Sequence, residues 1–576
     1  MDASKTVFLI DGSSQMYRAY HAIRGLTAPD GRPTNAVFGF VNMLRKLIAD
    51  QRPALIAAAF DVRGPTFRNE LAADYKANRA PMPPDLREQV PHVHEACKAL
   101  GVPVLTHEAF EADDVLGTLA AQARAAGFDV AIVTGDKDFF QLVRDSVSVF
   151  NPREPGTWYD ADGVREKFGV RPEQVIDVLA LMGDSVDNVK GVPGIGEKGA
   201  RELISTHGSL DALLEHTADV KKKKQRTALE QHADDARKSR ELVTIRTDVP
   251  VAFEPETLRY RGPSPEHCFT LFTTLGFRTL APEYAPTATT VEKDYAVVQS
   301  EAELAALLGG IGRAGRVGLA VITGSPDAMR ADLVGIALSA GPRHARYVPL
   351  GHRTLGADAE IGREEALRAL TSVLADPGIA KVGHDLKWAA LVLDRHGISL
   401  RGLEVDTLLV SYLVDATRSS HDLGDLALER VGYKAIALEE VVGKGAKAVS
   451  PADVPVDVLF EYAGEQSDLG LQVADRLRGQ LVSDGLEPLY RDLELPLLPV
   501  LADLERAGVR LDIDSLAAQS ATMDAQLSSL QAEIHALAGE PFNINSPRQL
   551  STILFEKLQL PSRKRTGKTK AASTSV

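Results

Sequence analysis

Apolar residues in the first 140 positions come in short unbroken runs, not in alternation: Thr6-Val-Phe-Leu-Ile-Asp11, Ala54-Leu-Ile-Ala-Ala-Ala-Phe-Asp61 and Val130-Ala-Ile-Val-Thr-Gly-Asp136-Lys-Asp138. Runs of this kind suit strands buried on both faces, as in a parallel sheet. Each run ends on aspartate. In an open α/β sheet, ligands sit in the crevice beyond the carboxyl ends of the strands, so these aspartates are expected to converge on one rim.

Further along, the pattern divides the chain. Ala281-Pro-Glu-Tyr-Ala-Pro-Thr-Ala-Thr-Thr290 is rich in Pro and Thr without periodic apolar residues, and reads as a linker. A second unit follows, from about Tyr295 to Gly479. It has strand patterns at Val317-Gly-Leu-Ala-Val-Ile322 and Leu333-Val-Gly-Ile-Ala-Leu338, and helical stretches after Asp406 and Tyr462, so it is mixed α/β. From Leu486 to Ala538 the spacing is helical, in two segments broken at Gly508-Val-Arg-Leu-Asp512. The expected division is 1–170 and 171–280 within the first unit, a linker at 281–294, a second unit at 295–480 and a third at 481–576.

Composition adds little to this picture except through charge. The 576 residues allow several cores. Two cysteines, Cys97 and Cys268, provide neither a disulfide framework nor a CxxC metal pattern. No apolar stretch approaches a membrane span of about 20 residues, and the start Met-Asp-Ala-Ser-Lys lacks a signal peptide's layout. A cytoplasmic protein without a membrane partner is expected. The net charge of -14 argues at first against nucleic acid, which is held by Lys and Arg. Distribution reverses that argument. Acid gathers at the rim, while bases gather at Lys221-Lys-Lys-Lys-Gln-Arg226 and Arg563-Lys-Arg-Thr-Gly-Lys-Thr-Lys570. Either basic run read alone is a solvated helix face or a loop.

Two more acid clusters join the rim: Glu111-Ala-Asp113-Asp114 opening a helical stretch, and Gly183-Asp184-Ser-Val-Asp187-Asn188 between helical stretches. Asp11, Asp61, Glu111, Asp113, Asp114, Asp136, Asp138, Asp184 and Asp187 would repel one another strongly. Hard divalent cations, Mg²⁺ or Mn²⁺, are the usual resolution. Two such ions about 3.5–4 Å apart can activate water and clamp both oxygens of a phosphodiester displacement. Singly, each acid has a plainer reading as a helix cap or a first-turn residue. Between the second and third runs lies Phe67-Arg68-Asn-Glu-Leu-Ala-Ala-Asp-Tyr75-Lys76-Ala-Asn-Arg79. Helical spacing would present Arg68, Lys76 and Arg79 over the rim, to grip a phosphate. The alternative is a solvated amphipathic helix. Gly191-Val-Pro-Gly194-Ile-Gly196-Glu-Lys198-Gly-Ala200 then forms a Gly-rich turn feeding a helix, where freed amides cradle phosphate, as in a helix-hairpin-helix that grips duplex backbone.

Taken together, Asp11-Gly-Ser-Ser with Tyr17-Arg-Ala-Tyr20, Phe60-Asp61, Tyr75-Lys-Ala-Asn-Arg79, Glu111-Ala-Asp-Asp114, Thr134-Gly-Asp-Lys-Asp138 and Met182-Gly-Asp-Ser-Val-Asp-Asn188 resemble, in order, the 5' nuclease domain of the bacterial DNA polymerase I family. The resemblance implies an α/β protein with a PIN/FEN-like parallel sheet and a helix-hairpin-helix. An RNase H-like domain of exonuclease type and the helical start of a polymerase thumb would follow. It implies that the nine carboxylates hold two divalent ions, directly or through water. Lys76 and Arg79 would act on the scissile phosphate, and Arg68, Tyr75, Gly191, Gly194, Gly196 and Lys198 would face DNA. The implied partners are duplex DNA with a 5' flap, nick or RNA primer, cut by a monomer in primer removal and repair.

The second unit resembles the family's 3'-5' exonuclease domain with its acids replaced. Aligned on Leu333-Val-Gly335, the first Asp-x-Glu motif reads Ala320-Val-Ile322. Aligned on Gly383-His-Asp-Leu-Lys-Trp-Ala389, the second aspartate is Ala389, and in Tyr462-Ala-Gly-Glu465-Gln466 the last aspartate is Gln466. Such a set cannot hold a metal pair, so no proofreading is expected. A shifted site using Asp327, Asp332 or Asp385 is the alternative. Asp406-Thr-Leu-Leu reads as a helix cap, and Ser420-His-Asp-Leu-Gly424 and Val442-Gly-Lys-Gly445 as scaffold. Leu493–Asp514 and Phe542–Phe555 resemble the start of the polymerase domain, with Arg563–Lys570 as a DNA-facing loop. The end at Val576, before any palm or fingers, is expected to mark a truncated gene or partial record, with an unstable stub. The rival readings are a non-catalytic scaffold that recognises flaps or nicks, and a ribonuclease on the same sheet.

Overall fold

The computed structural model describes residues 5–153, 156–354, 361–561 and 574. The first unit rests on β1 (Thr6–Asp11), β2 (Leu55–Ala59), β3 (Val104–Leu105), β4 (Asp129–Val133), β5 (Val147–Asn151) and β6 (Thr157–Tyr159), in the order β3-β2-β1-β4-β5-β6. All pairings are parallel except β5 with β6. The three apolar runs are therefore neighbours, with β1 in the centre. Asp11 is in register with Ala59, and Ile10 with Val133, so the three strands end level.

Unbroken apolar runs are needed because both faces of this sheet are covered. Val7 and Leu9 pack toward Leu116 and Val178, while Phe8 and Ile10 pack toward Phe40, Leu86 and Phe272. The helices Ala112–Ala125 and Val175–Met182 cover one face; Asn35–Gln51, Pro84–Ala99 and Pro265–Thr274 cover the other.

The segment expected as a linker is in part fixed structure. Ala281 and Ala285 are buried, Tyr284 meets Phe272 edge-on at 5.5 Å, and Glu283 pairs with Arg45. The carbonyl of Pro286 then accepts the Lys434 N–H at 2.9 Å, which ties the strap to the second unit. An aromatic and two small apolar residues were enough to dock what Pro and Thr suggested was loose.

The second unit has β7 (Asp294–Val297), β8 (Arg316–Thr323), β9 (Leu333–Gly341), β10 (His344–Pro349), β11 (Ala380–Gly383) and β12 (Leu403–Asp406), in the order β12-β11-β8-β9-β10-β7. β9 runs antiparallel to both neighbours, and the other pairings are parallel. The helix Val456–Ser483 crosses this sheet so closely that a Cβ on Gly318 would stand 2.4 Å from the Ser467 carbonyl. A Cβ on Gly335 would stand 2.2 Å from the hydroxyl of the buried Tyr347.

The third unit has the two helices expected, Leu495–Ala507 and Ile513–Ala538. Gly508 (φ +67°) ends the first, and Asp512 caps the second by accepting the Ser515 N–H at 2.9 Å. The first is pinned to the second unit by Lys387 with Glu505 and Arg506 with Asp394. The second projects Ile513, Leu516, Met523, Leu527, Leu530 and Leu537 into solvent, all more than half exposed. The basic segment Arg563–Lys570 lies outside the described residues. Among the described residues no helix is long and apolar enough to cross a membrane.

Gly335→Ala is expected to destabilise the second unit by about 1–3 kcal/mol through overpacking against Tyr347. Urea unfolding of the variant beside the parent measures this, and an unchanged midpoint would contradict the close approach.

Candidate metal and nucleic-acid site

The rim beyond β1, β2 and β4 is built by the chain's turns out of the strands. Asp11 ends β1 and caps the helix Gly12–Ala22, accepting the Ser14 N–H at 3.0 Å; its other oxygen accepts the Thr134 hydroxyl at 2.8 Å. Asp61 follows β2 and accepts the Ala112 N–H at 2.9 Å, which seats the helix Ala112–Ala125 and its Glu111-Ala-Asp113-Asp114 start against the strand end. Asp136 and Asp138 lie in the turn after β4; the Thr134 hydroxyl accepts the Asp136 N–H, and the Asp136 carboxylate accepts the Asp138 N–H, both at 3.0 Å. The Ser13 hydroxyl accepts the Asp61 N–H at 2.9 Å. Thr134 and Ser13 were not singled out in the sequence, although both stand within the rim motifs.

Charge is the dominant feature of this rim. Burial, then Ser14, Thr134 and the carboxylates of Asp136 and Asp61, leave Asp11 pushed up to about 7. Asp138 is pushed up to about 7 by burial and by Asp136. Asp113 is raised well above the usual carboxylate range by burial and by Asp11, Asp61, Asp136 and Glu111. These groups face one another without enough positive charge between them. The donors are all hard carboxylate oxygens on rigid strand ends and a helix start, the chemistry that suits a divalent cation of the Mg²⁺ class. Among the described residues no three His, Cys, Asp or Glu side chains close into a ready cage. Several rim acids are instead engaged with Lys, Arg and backbone N–H groups.

Five expectations meet a different geometry here. Arg68, expected over the rim facing phosphate, is 3% exposed. Its guanidinium forks onto Asp114 at 2.6 and 2.8 Å and also donates to the carbonyls of Leu242 and Thr244. Asp114, expected among the cation ligands, is fully buried and accepts from Arg68 and from the Arg246 N–H at 2.9 Å. The two form an internal ion pair that ties the 242–246 segment to the start of the helix Ala112–Ala125. Tyr75, expected to face DNA, is buried with its hydroxyl 3.3 Å from Glu111. Gly191 is buried too, and its N–H donates to the Ser239 hydroxyl. The helical reading of 67–79 fails beyond Leu71; the helix spans only Phe67–Leu71, and turns follow.

Lys76 and Arg79 do reach the rim. The Lys76 ammonium is 2.6 Å from Glu111 and 3.9 Å from Asp187, and the Arg79 guanidinium is 2.5 Å from Asp187. Lys76 takes a left-handed φ of +58°, and its N–H donates to the Asp187 carbonyl at 3.0 Å. Asn188 fastens the other end by donating to the Asp74 carbonyl at 2.7 Å and accepting from Asn78 at 3.0 Å. The basic segment 74–79 and the acidic loop 184–188 are thus clamped together.

The Gly-rich turn lies between the helices Val175–Met182 and Glu197–His207. Gly194 (φ +80°) and Gly196 are exposed, and neither would meet an atom within 4 Å if given a Cβ, so their backbone faces open space. Lys198 is exposed in the first turn of the following helix. Pro193 of the turn and Lys223 and Lys224 of the basic run line one surface hollow. Arg226 of that run turns back onto its own Val220 carbonyl.

In the second unit, Ala320, Ile322 and Tyr462 belong to one apolar cluster with Val334, Leu459 and Ala463, against which Val441 and Val442 pack. The acids beside Gln466 serve the fold. Glu465 accepts the Ile436 N–H and is pushed up to about 7 by burial; Asp468 accepts from the Tyr295 hydroxyl at 2.6 Å and the Arg343 N–H at 2.9 Å. Asp327 and Asp385 accept local N–H groups, of Met329 and Trp388. Asp406 caps a helix, as its sequence suggested.

Comparison with known proteins gives four matched segments. Residues 6–169 match the 5'-3' exonuclease N-terminal resolvase-like domain, and 170–266 match the 5'-3' exonuclease C-terminal SAM fold. Residues 330–469 match the DNA polymerase I ribonuclease H-like domain, and 513–576 match DNA polymerase family A. The DNA polymerase I of Pseudomonas aeruginosa is 40% identical over 96% of this chain and 63% of its own length. That of Bacillus subtilis is 34% identical over 98% of this chain and 63% of its own length. The chain thus spans less than two thirds of these relatives. A phage T5 5'-exonuclease solved with bound divalent zinc is 24% identical, at a TM-score of 0.37, over 42% of this chain and 90% of that one.

Two outcomes are expected from this geometry. Arg68→Ala leaves a buried unpaired carboxylate and should cost about 3–5 kcal/mol; adding Asp114→Asn should recover part of that loss in urea unfolding. Asp11 and Asp138 ionise near 4 in an unfolded chain and near 7 when folded. The folded state therefore binds more protons between those values, and this contribution to stability falls as pH rises through that window. Without metal, Asp11→Asn should gain on the parent in thermal midpoint as pH rises from about 4 to about 7, at about 2–4 °C per kcal/mol. A difference that stays flat with pH would contradict it.

Proposed function

The chain belongs to the DNA polymerase I family, and from that premise we propose that its first unit is a structure-specific 5' nuclease, cleaving 5' flaps and RNA primers from duplex DNA by metal-dependent phosphodiester hydrolysis. The observation that carries this reading is the meeting of three level strand ends with a basic segment: Asp11, Asp61, Asp136 and Asp138 on the sheet, and Lys76 and Arg79 clamped over Glu111 and Asp187. Asp11, Asp61, Glu111, Asp113, Asp136, Asp138, Asp184 and Asp187 would hold two divalent ions. Bound there, two such ions lower the pKa of water and stabilise the attacking and leaving oxygens in line.

The chain's own groups do the rest. Lys76 and Arg79 neutralise the scissile phosphate and fix it beside the acids. The buried Arg68–Asp114 pair holds Glu111 and Asp113 in place from behind, as a positioning device. The open backbone of Gly194 and Gly196, with Lys198, Lys223 and Lys224, grips the duplex phosphates without reading bases.

For the second unit we propose a scaffold without 3'-5' exonuclease activity. Ala320, Ile322 and Ala389 have no ligand oxygens in their side chains, Asp468 is spent on internal hydrogen bonds, and Glu465 is buried with one oxygen on the Ile436 N–H.

The test is cleavage of a 5'-flap duplex labelled at both ends, with Mg²⁺ or Mn²⁺. Asp113→Asn is the control, since Asp114 substitutions would also break the buried pair. Release of 5' products that the control fails to make, lowered by at least about 100-fold, is expected. Shortening from the 3' end would overturn the scaffold reading. Flap binding without any cleavage would favour a non-catalytic DNA-binding protein.

A further inference from the structure

We propose that Lys76 and Arg79 are the resident countercharges of the acid rim and compete with divalent cations for Glu111 and Asp187, so that the protein takes up metal weakly until nucleic acid draws the two bases away. This inference rests on reading the rim as a cation site.

The contacts are specific. Lys76 lies 2.6 Å from one Glu111 oxygen, and Tyr75 and Arg68 lie 3.3 and 3.4 Å from the other. Glu111 is thus surrounded by donors on both oxygens, which leaves little of it to offer an incoming ion. Arg79 meets Asp187 through both Nε at 2.7 Å and a terminal nitrogen at 2.5 Å. Neither cation is placed by chance rotation of a long side chain. The backbone beneath Lys76 is held in a left-handed conformation by the Asp187 carbonyl, and Asn78 and Asn188 bridge the two segments. A non-glycine residue in that conformation persists only when its surroundings fix it. The clamp therefore delivers an ammonium to Glu111 and a guanidinium to Asp187 together.

An ion entering beside Glu111 must displace that ammonium or share the carboxylate with it, and like-charge repulsion lowers its affinity. A phosphate arriving over the rim offers Lys76 and Arg79 a better-matched partner. Removing them frees Glu111 and Asp187. Nucleic acid and cation then bind with positive coupling, and linkage makes that coupling reciprocal. Metal would be held firmly where a backbone is in place, and loosely elsewhere.

The experiment is Mn²⁺ binding to the full chain without DNA, read by electron paramagnetic resonance of free Mn²⁺. The proteins are the parent, Lys76→Met, Lys76→Arg, Arg79→Gln and Lys137→Met. Lys137 neighbours Asp138, so its loss removes the same charge from the rim without opening the clamp. Lys76→Met is expected to bind Mn²⁺ at least about fivefold more tightly than the parent, a coupling of ordinary size. Lys76→Arg should stay at the parent's affinity, and Arg79→Gln, at an exposed site, should show a smaller gain in the same direction. Equal affinities for parent, Lys76→Met and Arg79→Gln overturn the competition while leaving the cation site intact. An equal gain in Lys137→Met reduces the effect to general charge and overturns it as well. Absence of Mn²⁺ binding in every protein overturns the cation site, and the competition with it.

Discussion

Mutual repulsion among carboxylates at the carboxyl ends of β1, β2 and β4 is the constraint around which the first unit is arranged. Three level strands bring Asp11, Asp61 and Asp136 together because register permits nothing else. The helix start adds Glu111, Asp113 and Asp114, since Asp61 itself anchors the Ala112 N–H. Such a concentration of negative charge destabilises the fold unless it is protonated, hydrogen-bonded or neutralised. Two remedies are visible in the contacts, the Thr134 hydroxyl on Asp11 and the cations on Glu111, Asp114 and Asp187, while the pull toward the third shows in Asp113, raised well above the usual carboxylate range.

These remedies differ in depth, and depth separates structure from chemistry. Arg68 and Asp114 are sealed from water, their remaining hydrogen-bonding capacity is met by backbone groups, and such a pair is strongly destabilising to break. Lys76 and Arg79 meet the same acid set from its open side, with a quarter of the Lys76 side chain and half of that of Arg79 still exposed, where an incoming phosphate can reach them. One arginine thus supports the rim from inside while two other bases attend it from outside. Residue type does not distinguish them; position along 67–79 does. The short helix Phe67–Leu71 points Arg68 inward, and the turns after it carry Lys76 and Arg79 outward.

That division explains which parts were legible in the sequence. Unbroken apolar runs identify buried parallel strands, and their terminal aspartates identify the rim, because both follow from period and topology. The break at Gly508 and the cap at Asp406 follow from local backbone chemistry. Arg68 was misplaced because helical spacing was extended from 67 to 79, when the Lys76 conformation depends on the Asp187 carbonyl more than 100 residues away. Gly191 was misassigned for a related reason. Glycine is required there by the approach of Gly183, whose N–H would lie 2.5 Å from an added Cβ, and not by an open backbone. Long-range contacts of this kind leave no local signature. The docking of Tyr284 onto Phe272 and Arg45 has the same character, a tertiary contact inside a stretch whose composition reads as loose.

The second unit carries apolar side chains on its central strand β8 in place of a crowd of acids. Paired acids at a strand end raise the energy of a fold, and apolar replacements of suitable size remove that cost. Ala320 and Ile322 on β8 fit this description: they join Leu459, Ala463 and Tyr462 in an apolar cluster that Val441 and Val442 help to cover. The acids that remain nearby are those with structural partners, Asp406 on three backbone N–H groups and Asp468 on Tyr295 and Arg343. A carboxylate with neither cation nor donor has no reason to persist in such a place. By the same reasoning, the crowding of Asp11, Asp113 and Asp138 at the strand ends, only partly relieved by the chain's own donors, is the physical feature that sets the first unit apart from the second.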